Sequence, residues 1–223
     1  PSVSGDLLSK TNLFKWIREF VRECGGEKGY YMEFGVLNGE GIINAYRQIR
    51  PYLSHVYGFD SFAGFPDLEP EDSEAFGLHP SFVAGAYKGM SEEMVVKNIV
   101  SNSRMPEEKL SLVKGNFDQS LPVFDKNTLQ DKGSPVCIYI DCDLYSSTKY
   151  VLEFIQDLVV DGTWVLLDDY WCYRGSPKHG QRKAFEEWLN TNKVVGATPY
   201  CNFSGWGRAY IAYGFDRGYP RCR

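Results

Sequence analysis

The chain has no apolar run long enough to span a bilayer, and its first residues show no basic-then-apolar leader. Lysine and arginine nowhere cluster, and 24 of them against 29 acidic residues leave a formal charge of −5. Nucleic-acid and anionic-membrane binders ordinarily carry a basic patch, so neither partner is expected. Six cysteines are too few for a disulfide scaffold in 223 residues. None forms a Cys-x-x-Cys pair, which argues against structural zinc and thioredoxin-like redox chemistry. Cys137 lies inside an apolar run and reads as core, so a reducing, cytoplasmic setting is expected. The G-x-G-x-x-G dinucleotide fingerprint is also missing. What remains has the length of one α/β domain over residues 1–223, with no internal repeat.

Residues 136–170 organise that domain. The apolar run 136–140 ends in Asp141-Cys142-Asp143, a helical pattern crosses 147–155, and a second run at 164–167 closes on Asp168-Asp169. Two aliphatic runs joined by a helix read as a βαβ unit with buried parallel strands. Its right-handed crossover brings both strand ends to one edge of the sheet, where open α/β sheets bind ligands. Four carboxylates gathered there repel one another unless a cation sits among them. All-oxygen donors favour Mg²⁺ or Mn²⁺ over Zn²⁺. The competing explanation is that Asp143 and Asp169 cap the helices that follow.

Upstream, Ser9 or Thr11 starts a helix whose Leu13, Ile17, Phe20 and Cys24 recur at helical spacing with Trp16 beside them. With it, residues 1–28 form an N-terminal cover. A strand over 29–35 runs into glycines 35, 39 and 41 and then a helix, the opening unit of a nucleotide-binding sheet. Gly35 and Gly39 allow close backbone approach. Glu33, closing the strand, suits a cationic group such as the amino group of an amino acid. The second strand, 53–60, ends in Asp60, placed where a carboxylate meets ribose hydroxyls. His55 reads as structural. Residues 62–101 exceed what a crossover needs and read as a lid: irregular, acidic and Pro-rich over 64–72, with a helix capped by Ser91 further on. A third strand and its turn follow at 110–117. A late helix over 182–189 precedes two strands, 193–197 and 207–213, which form an antiparallel edge hairpin joined by a link over 198–205.

Glu33-Phe34-Gly35-Val36, Gly58-Phe59-Asp60-Ser61-Phe62, Lys114-Gly115-Asn116-Phe117, Asp141-Cys142-Asp143-Leu144-Tyr145-Ser146-Ser147-Thr148 and Asp168-Asp169-Tyr170 occur in that order. The series resembles the macrocin/mycinamicin-type sugar O-methyltransferases, over roughly residues 29–184. The resemblance implies a class I methyltransferase fold: Rossmann-like, doubly wound, with a mostly parallel seven-stranded sheet, an antiparallel edge hairpin and an inserted lid. It implies S-adenosylmethionine and Mg²⁺ (Mn²⁺ as a substitute), a glycoside acceptor and a homo-oligomer. Glu33, Gly35 and Gly39 would line the methionine end of the cofactor, and Asp60 would hold the ribose. Ser61, Gly115, Asn116 and Phe117 would border the adenine. Asp141, Asp168 and Asp169 would bind the metal, with Asp141 also beside the cofactor and placed as the base. The N-terminal segment, shorter than in many members, and the variable lid and Trp171–Tyr173 stretch leave the acceptor open.

A sugar hydroxyl is un-ionised at neutral pH, so a metal and a positioned base fit the chemistry. His179, on a loop with Gly and Pro, is the second candidate base. Three alternatives stand beside this reading: O-methylation of vicinal phenolic hydroxyls as in catechols, a nucleotide- or NAD-binding oxidoreductase, and a non-catalytic binder on the same fold.

Overall fold

The computed structural model describes residues 8–75 and 83–214. His79 and part of the expected lid lie outside them. The elements, in order, are α1 (Lys10–Glu23), β1 (Gly29–Phe34), α2 (Glu40–Ile49), β2 (Leu53–Asp60), α3 (Pro70–Ala75), α4 (Glu92–Ser103) and β3 (Leu110–Lys114). Then come α5 (Phe117–Val123), β4 (Pro135–Ile140), α6 (Tyr145–Ile155), β5 (Thr163–Leu167), α7 (Gly180–Thr191), β6 (Val195–Phe203) and β7 (Gly207–Gly214). The strands form one seven-stranded sheet in the order β3-β2-β1-β4-β5-β7-β6. All pairings are parallel except those of β7, which runs antiparallel to both β5 and β6. This is the doubly wound, mostly parallel seven-stranded sheet with an antiparallel edge hairpin that the resemblance implies.

Side-chain alternation along the strands separates two cores. Tyr30, Met32 and Phe34 of β1 and Ile138 and Ile140 of β4 pack with Leu121 of α5, Phe154 of α6 and Phe185 of α7. Tyr31 of β1 and Cys137 and Tyr139 of β4 pack on the other face with Phe14 and Ile17 of α1, Ile42 of α2 and Ile99 of α4. Both β1 and β4 are buried at all six positions, which is why β4 reads as an unbroken apolar run and β1 as one interrupted only by Glu33. The strand order reverses between them, so their carboxyl ends bound a crevice.

Four local expectations change. The edge hairpin is longer: β6 runs through Phe203, and only a three-residue turn, 204–206, precedes β7. Pro199 does not end it, because an edge strand can lose an N–H without losing a ladder bond, and the register shifts between Pro199 and Cys201. Trp16 points to solvent at 55% exposure; the buried stripe of α1 is Leu13, Phe14 and Ile17. Ser91 stands at the N-cap of α4, but its side chain makes no capping bond.

The acidic stretch, expected to be irregular and exposed, contains α3. Buried Asp72 accepts from the backbone N–H of Tyr145 (2.7 Å) and Ser146 (3.3 Å) and from the Ser146 hydroxyl (2.5 Å). The α6 N-cap, Leu144, has no side chain able to do this, so Asp72 caps the helix through space. Asp72→Ala is expected to lower stability by about 0.5–2 kcal/mol in urea unfolding, as loss of a capping carboxylate does elsewhere. An unchanged midpoint would show that α3 does not hold α6.

Candidate active site

The crevice between β1 and β4 opens into a cavity of about 870 Å³. Its first half is built by the turn after β1. Gly35 has φ 90°, and a Cβ there would overlap the Asp141 carbonyl, so this glycine serves strand-to-strand approach at the crossover between β1 and β4. Gly39 starts α2 at φ 85° and packs on Ile99; it does not line the cavity, whereas Gly41 does. A Cβ on Gly41 would stand 2.6 Å from the Glu33 carboxylate oxygens.

Glu33 is buried and accepts from the Tyr31 hydroxyl at 2.5 Å. Burial pushes its carboxyl up to about 8, against the opposing pull of that hydrogen bond and of Lys10. Asp60, at the end of β2, accepts from Val36 N–H (2.7 Å) and Leu37 N–H (2.9 Å) on one oxygen and from Phe62 N–H (2.6 Å) on the other. It therefore clamps the β1 turn while still lining the cavity. Ser61, Gly115, Asn116 and Phe117 line the same half.

The second half is acidic. Asp141, Asp143 and Asp169 each offer an oxygen within 4.8 Å of the others. Asp143 has φ 55°, and its backbone N–H donates to Asp169 Oδ2 at 3.0 Å. Buried Gln181 ties the strand ends together, accepting from Asp169 N–H at 2.9 Å and donating to the Ile140 carbonyl at 3.0 Å. Burial and the neighbouring acids push Asp141 and Asp169 well above the usual carboxylate range and Asp143 up to about 7. Such a set is short of positive charge, and three carboxylate oxygens at this spacing fit a hard divalent cation.

Asp168, expected with Asp141 and Asp169 as a ligand, does not line the cavity. Tyr139 donates to its Oδ1 at 2.7 Å and Lys10 to its Oδ2 at 3.0 Å. The Lys10 ammonium lies 3.8 Å from Asp141. His179 also lies outside the cavity, tilted against Tyr173 with ring centroids 6.1 Å apart. His55 is structural, as expected: its Nε2 lies 2.9 Å from the Ser111 hydroxyl, and burial lowers its pKa. Sequence reasoning did not single out Lys10, Arg174 or Trp206 and named Gly41 only as part of the glycine turn; all four line the cavity. A lysine at the start of an amphipathic helix carries no motif, and Trp206 reaches the site through the hairpin turn.

Residues 12–199 match the model of the macrocin O-methyltransferase (TylF) family. No curated protein matches the chain by sequence. Among solved structures, the O-methyltransferase NovP is 23% identical, with TM-score 0.70 over 91% of this chain and 78% of that one. The calicheamicin methyltransferase CalS11 is 21% identical, with TM-score 0.65 over 93% and 79%. The O-methyltransferase TomG from Streptomyces achromogenes, involved in tomaymycin synthesis and solved with SAM, is 15% identical, with TM-score 0.55 over 94% and 82%. At these identities the likeness is one of fold.

Glu33 generates a pH prediction. Its folded pKa, about 8, exceeds the ordinary glutamate value of 4.5, so the folded state holds a proton that the unfolded chain releases between them. Stability therefore falls as pH rises through that window. Glu33→Gln is expected to gain stability relative to the parent between about pH 5 and about pH 8 in the ligand-free protein. A difference that stays flat across the window would mean that Glu33 is ionised throughout.

Proposed function

Since the chain belongs to the macrocin O-methyltransferase (TylF) family and is an S-adenosylmethionine-dependent O-methyltransferase, we propose that it methylates a hydroxyl of a sugar or glycosylated small molecule with Mg²⁺ at the acid cluster. The observation carrying the metal reading is the Asp141–Asp143–Asp169 group at the floor of the cavity that Glu33 and Asp60 also line.

In this reading the β1-turn half takes the cofactor. Glu33 meets the amino group, Asp60 the ribose, and Ser61, Gly115, Asn116 and Phe117 the adenine. Gly35 keeps β1 and β4 close enough for both halves to share one crevice. Gly39 acts at one remove, by shaping the start of α2. Asp141 and Asp169 belong both to the trio in the fold and to the set implied by resemblance, and they hold the cation. Asp143 is the third acid of the geometry; Asp168, implied by resemblance, is engaged by Tyr139 and Lys10. When bound, Mg²⁺ (or Mn²⁺) makes a nearby hydroxyl more acidic and can orient two vicinal oxygens.

Proton removal falls to the Asp141–Asp143 pair. Asp141 is the base implied by resemblance, and it lines the cavity beside Asp143, so either carboxylate of the pair is placed to accept the hydroxyl proton. A bound cation lowers the carboxyl pKa, so this assignment rests on position. No step is given to His179. Phe65, Tyr87, Tyr173 and Trp206 wall the remaining space, which suits the apolar face of a sugar ring; a planar phenol fits the same walls, and family membership favours the sugar.

Calorimetry tests this directly. S-adenosylhomocysteine is expected to bind the metal-free protein, and Mg²⁺ to bind that complex in a second event. Asp169→Asn should abolish the metal event and leave nucleoside binding within about threefold, since Asp169 is assigned to the metal half. Nucleoside binding without any metal event would discard the metal and keep the transferase.

A further inference from the structure

We infer that Lys10 is a cofactor-binding residue, its ammonium receiving the methionine carboxylate of S-adenosylmethionine beside the amino-group site at Glu33. The inference rests on the cofactor reading above and adds a contact from outside every motif that supports it.

An α-amino acid presents an ammonium and a carboxylate on one carbon, so its receptor needs two unlike charges side by side. Among the described residues that line the cavity, the only cations are Lys10 and Arg174. Arg174 sits on the loop after β5 with Cys172 and Tyr173, beyond the acid cluster in the chain. The Lys10 ammonium lies 5.3 Å from the centroid of the Tyr139 ring, and Tyr139 is the register partner of Glu33 in the β1–β4 pairing, so Lys10 and Glu33 border the same end of the cavity. Lys10 and Glu33 are thus the unlike pair at the methionine end.

The ammonium has capacity to spare. It donates to Asp168 Oδ2 at 3.0 Å, while Asp141 Oδ2, at 3.8 Å, is beyond hydrogen-bond range. A lysine has three N–H donors, so two remain for a ligand oxygen. The side chain is 34% exposed and borders the cavity, so the ammonium is reachable without leaving Asp168. Glu33 gives up its proton to pair with the incoming ammonium, and a carboxylate entering without Lys10 would then meet Glu33 and Asp141 with no compensating cation at that end.

The helix carrying Lys10 is held in place rather than draped over the site. Ser9 caps it by accepting from Asn12 N–H at 3.2 Å. Thr11 donates to Asn44 Oδ1 on α2 at 3.1 Å, and Leu13, Phe14 and Ile17 are buried. Just ahead of it, Leu8 bridges to Phe203 of β6. Lys10 is therefore presented by a fixed scaffold, which lowers the entropic cost of the contact.

The test compares two ligands by calorimetry in chelator: S-adenosylhomocysteine, and methylthioadenosine, which shares its nucleoside and thioether but lacks the amino-acid end. Lys10→Met is expected to weaken S-adenosylhomocysteine by about 10–100-fold, the range for one charge-assisted hydrogen bond, and to leave methylthioadenosine within about twofold. Lys10→Arg should restore most of the lost affinity. Should Lys10→Met not fold, Lys10→Gln carries the same comparison. Equal losses for both ligands would make Lys10 a structural prop for α1, and undiminished S-adenosylhomocysteine affinity would show no contact; either result overturns the inference. A parent protein that binds neither nucleoside would instead sink the cofactor reading itself.

Discussion

Mutual repulsion among carboxylates is the constraint on which the centre of this molecule depends. Asp141, Asp143 and Asp169 present oxygens within 4.8 Å of one another at the ends of two buried strands. Asp169 is buried and Asp141 and Asp143 are half-buried, so water dissipates only part of that charge and the chain must answer the rest. It does so with Lys10 against Asp141 and Asp168, with the Asp143 N–H on Asp169, and with the Tyr139 hydroxyl on Asp168. Gln181 adds no charge but fixes the spacing of the β4 and β5 ends. Burial first, and then the remaining excess of negative charge, raises the carboxyl pKa values, and a divalent cation would relieve that excess.

The same crevice is shared by a second, differently built half. There the carboxylates stand apart and are satisfied locally: Asp60 by three backbone donors, Glu33 by a tyrosine hydroxyl. That division suits the proposed transferase with its two substrates. One half is hydrogen-bonded within itself, as the proposed nucleoside site requires. The other is charged and walled by aromatic side chains from residues 65–87, the loop after β5 and the hairpin turn. Because those walls come from loops on a fixed sheet, the proposed acceptor half can vary without altering the other.

Much of the architecture is legible along the chain, because its elements are buried in ways that leave periodic traces. β2 was expected over residues 53–60 and spans Leu53–Asp60, since a strand covered on both faces must be apolar nearly throughout. The acids after β4 and β5 are visible for a related reason: a charged residue directly after an apolar run has to sit at the strand's end. β6 was misjudged, because Pro199 signals a turn unless the strand is known to lie at an edge. Asp72 was hidden too, as a capping carboxylate looks like any other acid in a polar loop until its helix, 73 residues away, is placed beside it.

The sequence by itself determined the βαβ unit, the glycine turn behind Glu33, and the acids that end β4 and β5, because each follows from neighbours within a few residues. Only the tertiary structure decided which acids share a centre. Asp168 and Asp169 are adjacent in the chain, yet in the turn that follows β5 their side chains take different directions and different partners. One meets Lys10 and Tyr139, and the other meets Asp141 and Asp143. Lys10 itself enters the site across 158 residues of sequence separation from Asp168, a pairing set by how α1 packs and by nothing local to either residue.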